Sequence, residues 1–112
     1  MITVESEKAR VLEQMVKAAT RKKWMLVENF ARRGLELDPN WFDAATRLQA
    51  ACVERVALAA LHSSHAVRKA QKNPSPQNLK RAVELGITTK GCATLALRAN
   101  RLVRRLVDEQ GQ

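Results

Sequence analysis

Residues 44–61 read AATRLQAACVERVALAAL. Thirteen of these eighteen positions are apolar. Wound as a helix at about 100° per residue, they leave almost no polar face. A helix that is apolar all round is enclosed by other helices, and its alanines let those neighbours approach closely. No segment of the chain alternates with period two, and β-branched residues never cluster, so no sheet is expected. The fold class that follows is all-α. It is a compact bundle of four to five helices, with this stretch inside a long, central third helix.

On the N-terminal side, Thr3 and Ser6 are both suitable N-caps, and Leu12, Met15, Val16 and Ala19 follow helical spacing. A first helix is expected over Thr3–Thr20. A second is expected over Lys23–Leu37, with Trp24, Val27, Ala31 and Leu35 on one face. Asp38-Pro39-Asn40 stops it, because proline disfavours helical geometry at the preceding residue. The third helix starts near Trp41 and has no clear stop before Lys72, which makes it about 48 Å long. A compact chain of this size has a radius of gyration of about 13 Å. The helix therefore bends near Ser63-Ser64, projects, or is covered by a second chain.

Asn73-Pro74-Ser75-Pro76 is the clearest break, with Ser75 as N-cap and Pro76 at the first helical position. A fourth helix is expected over Pro76–Leu85, ended by Gly86. Thr88 or Thr89 then caps a fifth, running to Glu109. In it Cys92, Leu95, Ala99, Leu102 and Leu106 are spaced 3, 4, 3, 4, a heptad-like seam. The apolar surface of this helix and of the far half of the third exceeds what one short fourth helix covers, so a homodimer is expected.

Charge divides the chain. Residues 1–61 are close to neutral, with ten basic and eight acidic side chains. Residues 62–107 hold ten basic side chains and one acid, Glu84, an excess equal to the net charge of +9. On the last helix Lys90, Thr94, Arg98, Arg101 and Arg105 fall opposite the apolar arc. With Arg68, Lys69, Lys72, Lys80 and Arg81 they are the candidate nucleic-acid-binding residues. A row of cations at helical spacing suits a row of phosphates, and a merely solvated face would interleave acids. Trp24, Phe30, Trp41 and Phe42 all lie outside the basic segment. Single strands need stacking platforms beside the cations, so a duplex or structured backbone is favoured. DNA and RNA stay open. The alternative is an interaction adaptor or inhibitor that docks its basic face onto an acidic protein.

Two stretches resemble known motifs. In Leu79–Leu97, Ala82 is the small residue, Gly86 the turn, and Leu85, Ile87, Cys92 and Leu95 the buried positions of a helix-turn-helix. The resemblance implies that Thr89, Lys90, Ala93, Thr94 and Arg98 face the major groove. Gly34-Leu35-Glu36-Leu37-Asp38-Pro39-Asn40 looks like the end of a tetratricopeptide repeat, and the likeness extends over Lys8–Trp41. It implies a helical hairpin.

Other chemistry is thin. Cys52 and Cys92 lie 40 residues apart among apolar neighbours and read as buried, reduced thiols of a cytoplasmic protein. His62 and His65 share a helix face but have no third metal ligand nearby. Beside Arg68 and Lys69 they would add charge on acidification. No glycine-rich phosphate loop and no nucleophile with a base is present, so neither an enzyme nor a cofactor is expected. The first twenty residues carry charges throughout, and the longest uncharged stretch, Val56–Val67, is too short to cross a bilayer.

Overall fold

The computed structural model describes residues 3–110. Four helices follow one another: α1 Val4–Thr20, α2 Trp24–Leu37, α3 Phe42–Lys72 and α4 Pro76–Gln110. Thr3 and Ser6 act together at the start of α1. The Ser6 amide donates to Thr3 Oγ1 at 3.1 Å, and the Thr3 amide donates to Ser6 Oγ at 3.0 Å. The chain leaves α1 through Lys22, in the left-handed region at φ 57°, while the Lys23 and Lys22 amides donate to the carbonyls of Ala18 and Ala19. At the start of α4 the Asn78 amide donates to Ser75 Oγ at 3.2 Å, as the Ser-Pro pair requires.

α4 is one helix, not two. The break expected at Gly86 is absent, and no described glycine has positive φ. The reason lies in the buried stripe. Asn78, Ala82, Leu85, Thr89, Cys92, Ala96, Ala99, Val103 and Leu106 are all buried or half-buried and alternate steps of four and three. A turn at Gly86 would throw the two halves of this seam out of phase. A helical glycine costs only about 1 kcal/mol relative to alanine. Thr88 and Thr89 do not cap a new helix; their hydroxyls donate to the carbonyls of Glu84 and Leu85, four residues back. Residues 79–97 thus contain no turn between two helices.

α3 answers with the same rhythm: Ala45, Gln49, Cys52, Val56, Ala59, Ser63, Ala66 and Ala70. The helices run antiparallel along their full length. Gln49 Nε2 donates to Asn100 Oδ1 at 2.8 Å near one end, and Ala70 packs beside Leu79 and Ala82 at the other. The result is a two-stranded coiled coil with a seam of small residues. A second stripe of α3, with Ala44, Leu48, Ala51 and Arg55, faces the α1–α2 hairpin. The main core gathers Val11, Met15, Ala31, Ala44, Leu48, Cys52 and Ala99.

α3 is central, touching both α2 and α4, but it is not enclosed. Val53, Leu58 and Leu61 are about half exposed. The α1–α2 pair covers only the first half of α3, so the far half projects with α4 as its single partner. The molecule measures 59 × 31 × 18 Å with a radius of gyration of 17.5 Å, well above the value of a compact bundle. The seam of Cys92, Leu102 and Leu106, which the sequence offered to a second copy, faces α3 of the same chain.

Candidate nucleic-acid interface

All ten candidate residues are exposed: Arg68, Lys69 and Lys72 on α3, and Lys80, Arg81, Lys90, Thr94, Arg98, Arg101 and Arg105 on α4. Their positions follow from the seam. Because α4 turns its buried stripe to α3, Lys90, Thr94, Arg98, Arg101 and Arg105 occupy the outer arc. Lys80, Ile87, Thr94 and Arg101 recur at sevens along its crest. Arg98 and Arg105 lie on one shoulder, while Lys90 and Arg104 lie on the other. The expected single line is therefore a band that spills over both shoulders. Thr94 contributes no donor to it, since its hydroxyl donates to the Lys90 carbonyl at 3.1 Å.

The band is electrostatically unbalanced. Among the described residues, only Lys80 (to Glu84, 4.0 Å) and Arg105 (to Glu109, 3.7 Å) of the ten basic side chains in 62–107 have an acidic partner. In the other half of the chain the opposite holds. Lys8, Arg10, Lys17, Arg32, Arg33, Arg47 and Arg55 are all ion-paired, and Arg21, Lys22 and Lys23 are not. Eight unpaired cations on two helices create a positive potential without the acids that would cancel it.

The hairpin register brings one group together that the sequence did not show as a group. His62, His65 and Lys69 follow each other at i, i+3 and i+7 on α3, and Arg81 reaches them from α4. They surround a concavity of about 270 Å³ above Ala66 and Leu85. No acid lines it. Both histidines of the chain are here. Their helical spacing with Lys69 was legible, but the convergence of Arg81 depends on the pairing of α3 with α4.

The far face of the hairpin differs. Val53, Val56 and Ala57 of α3 and Ala93 and Leu97 of α4 form an apolar groove of about 550 Å³, bridged at its end by the Gln49–Asn100 bond. Lys90 and Arg104, seven residues to either side of Leu97, flank it along α4. Neither a family model, nor a curated protein, nor a solved structure matches this chain.

The remaining polar chemistry belongs to packing. Glu28 is fully buried between α2 and α3. Arg55 Nη1 donates to both its oxygens at 2.9 and 2.7 Å, and Arg32 Nη2 donates at 3.3 Å. Beside it, burial and then the Glu28 carboxylate push the Cys52 thiol up to about 11, so it is not a nucleophile. Cys52 and Cys92 are both free and buried. Trp41 packs on Gly34, with Lys8 Nζ 4.9 Å from its ring centroid. Among the described residues no cluster of three metal-ligating side chains exists, and no helix is long and apolar enough to cross a membrane.

Proposed function

We propose that this protein binds the phosphate backbone of duplex DNA or structured RNA through the exposed cations of the α3–α4 hairpin, and that it does so without enzymatic chemistry. The observation that carries the reading is the set of eight unpaired basic side chains on the α3–α4 hairpin. Phosphate contacts of this kind give affinity without base readout, because they neutralise charge and release counterions. Trp24, Phe30 and Trp41 are taken up by the core clusters beside α1 and α2, which supports a paired rather than a single-stranded ligand. Two free, buried thiols suit a reducing, cytoplasmic compartment.

Fluorescence anisotropy with labelled duplex DNA, duplex RNA and single-stranded DNA tests this reading. The logarithm of affinity should fall linearly with log salt, by a slope of about 0.9 per phosphate neutralised on duplex DNA. R98A/R101A/R105A should weaken binding and flatten that slope while helicity stays unchanged. Absence of binding to every probe at low salt refutes the reading.

The apolar groove favours a second reading, capture of a protein segment. Its flanking cations, Lys90 and Arg104, match an amphipathic helix with acidic borders better than a second copy of this chain, which would bring like charges together. Sedimentation decides between them. A concentration-dependent dimer abolished by Leu97→Glu shows that a second copy fills the groove. A monomer that binds an acidic amphipathic peptide, and loses it on the same substitution, shows the partner helix.

A further inference from the structure

We infer that His62, His65, Lys69 and Arg81 form a phosphate-group site whose hold on its ligand tightens as the two histidines take up protons. The ligand is a tetrahedral phosphate, and the inference rests on the proposed function only for its source, a nucleic-acid backbone rather than free phosphate.

Four groups able to carry positive charge converge on one concavity from two helices. Lys69 and Arg81 have no acidic partner, and no other described polar group engages the two imidazoles. A protonated imidazole presents two N–H donors, a lysine three and an arginine a planar fork, so the donors outnumber the oxygens of one phosphate. The floor of Ala66 and Leu85 supplies no competing acceptor. Asn78, at the wall, donates one side-chain N–H to the Asn73 carbonyl at 2.8 Å. The concavity of about 270 Å³ is roomy enough for one phosphate with water.

The charged surroundings are mostly basic. On α3 the neighbours are Arg68 and Lys72. On α4 they are Lys80 and Glu84, the one acid of the basic segment, which lies 4.0 Å from Lys80. From the turn between α1 and α2, Lys22 faces Leu58 and Leu61, and Glu54 of α3 lines the same hollow. An anion held between these cations offsets their mutual repulsion. Histidine is the side chain that changes charge between about pH 5 and 8. The chain has two, both here.

The test measures duplex DNA affinity by anisotropy at about pH 5.5 and 7.5 and constant ionic strength, for the parent, H62Q/H65Q and R98A/R101A/R105A. In parallel, inorganic phosphate is titrated while the histidine ring resonances are followed by NMR. Each charged imidazole near a phosphate should tighten binding by about fivefold, the attraction of unit charges ~4 Å apart in water. The parent should therefore gain at least that factor on acidification, H62Q/H65Q should not gain it, and phosphate should shift both rings. Equal affinity of the parent and H62Q/H65Q at both pH values, with R98A/R101A/R105A still weakened, overturns the site and leaves the nucleic-acid reading standing. Ring shifts with phosphate but no duplex binding at either pH keep the site and overturn the nucleic-acid reading. Both histidine substitutions are on the exposed surface, so circular dichroism should show unchanged helicity.

Discussion

The Glu28–Arg55 pair ties α2 to α3, and its two halves should respond unequally to removal. Glu28 is fully enclosed, whereas the Arg55 side chain is 24 % exposed and Arg32 is 44 % exposed. Arg55→Met strands a carboxylate with no route to water and only the longer Arg32 bond at 3.3 Å. Breaking a buried pair by removing one partner costs about 3–5 kcal/mol, so this variant should lose about 3 kcal/mol. Glu28→Gln keeps the shape and an acceptor, and both arginines can turn toward solvent, so the loss should be about 1–2 kcal/mol. The double change Glu28→Leu with Arg55→Met leaves no charge behind and should recover most of the loss, since apolar replacement of a buried pair is often neutral. Urea unfolding followed by circular dichroism and by the fluorescence of Trp24 and Trp41 reads all three. With a slope of about 1–3 kcal/mol per molar, a 3 kcal/mol loss lowers the midpoint by about 1–3 M. An Arg55→Met variant within about 0.5 kcal/mol of the parent, or a double variant less stable than Arg55→Met, refutes the argument that desolvation of the carboxylate dominates.

Three further outcomes follow from the same packing. Gly34→Ala should cost about 1–3 kcal/mol in the same urea assay, because a Cβ there meets Trp41 Cζ3 at 2.7 Å and the ring must move. Asp38 is held below its ordinary value of 3.8, chiefly by the hydrogen bond from Lys8 and then by the Asn40 amide, and Lys8 is raised above 10.5 by the same contact. The carboxylate's contribution is present above its unfolded pKa and lost as pH falls through the folded value, and the lysine's is lost as pH rises through its raised one. Asp38→Asn should therefore be less stable than the parent at neutral pH, with thermal midpoints converging in acid and in strong alkali; a constant gap across pH would disprove the link. Cys52, with its thiol up near 11, should resist iodoacetamide in native buffer and label only as the protein unfolds, with mass spectrometry as the readout. Rapid labelling under native conditions would show that the α3–α4 seam is open there.

Where local chemistry alone sets a boundary, the boundary was legible. Thr3, the Asp38-Pro39 stop and the Ser75-Pro76 start each act within one turn, and α1, α2 and α3 begin and end within a residue or so of the expected places. Gly86 misleads for the same reason in reverse. Its local cost is small, and it loses to a seam of nine positions that only stays in register if the helix continues. The apolar circumference of α3 signalled burial on all sides, but the chain has too few helices to supply it, and Val53, Leu58 and Leu61 remain about half exposed. The exposure of Lys90, Thr94, Arg98, Arg101 and Arg105 was legible from their spacing opposite the seam. The gathering of Arg81 with His62, His65 and Lys69 was not, because it depends on which turn of α4 meets which turn of α3.

The projecting half of the hairpin joins these observations. Beyond Leu61 the seam offers Ser63, Ala66 and Ala70 against Asn78, Ala82, Leu85 and Thr89. Side chains of that size bury little apolar surface, and no third helix adds to it. The same turns carry Arg68, Lys69, Lys72, Lys80 and Arg81, whose mutual repulsion acts against closure of the hairpin. Small buried contacts and uncompensated like charge make this a segment of low local stability. An anion bound between the two helices relieves the repulsion only when they are paired, so by linkage it stabilises the paired form. The cations that make the tip costly to fold are then those that make it responsive to a phosphate. Hydrogen exchange at Ala66, Ala70 and Ala82 should slow on adding duplex DNA, while exchange at Ala44 and Leu48, in the core with α1 and α2, should stay the same. Uniform slowing along α3 would show instead that the ligand is held by the whole fold.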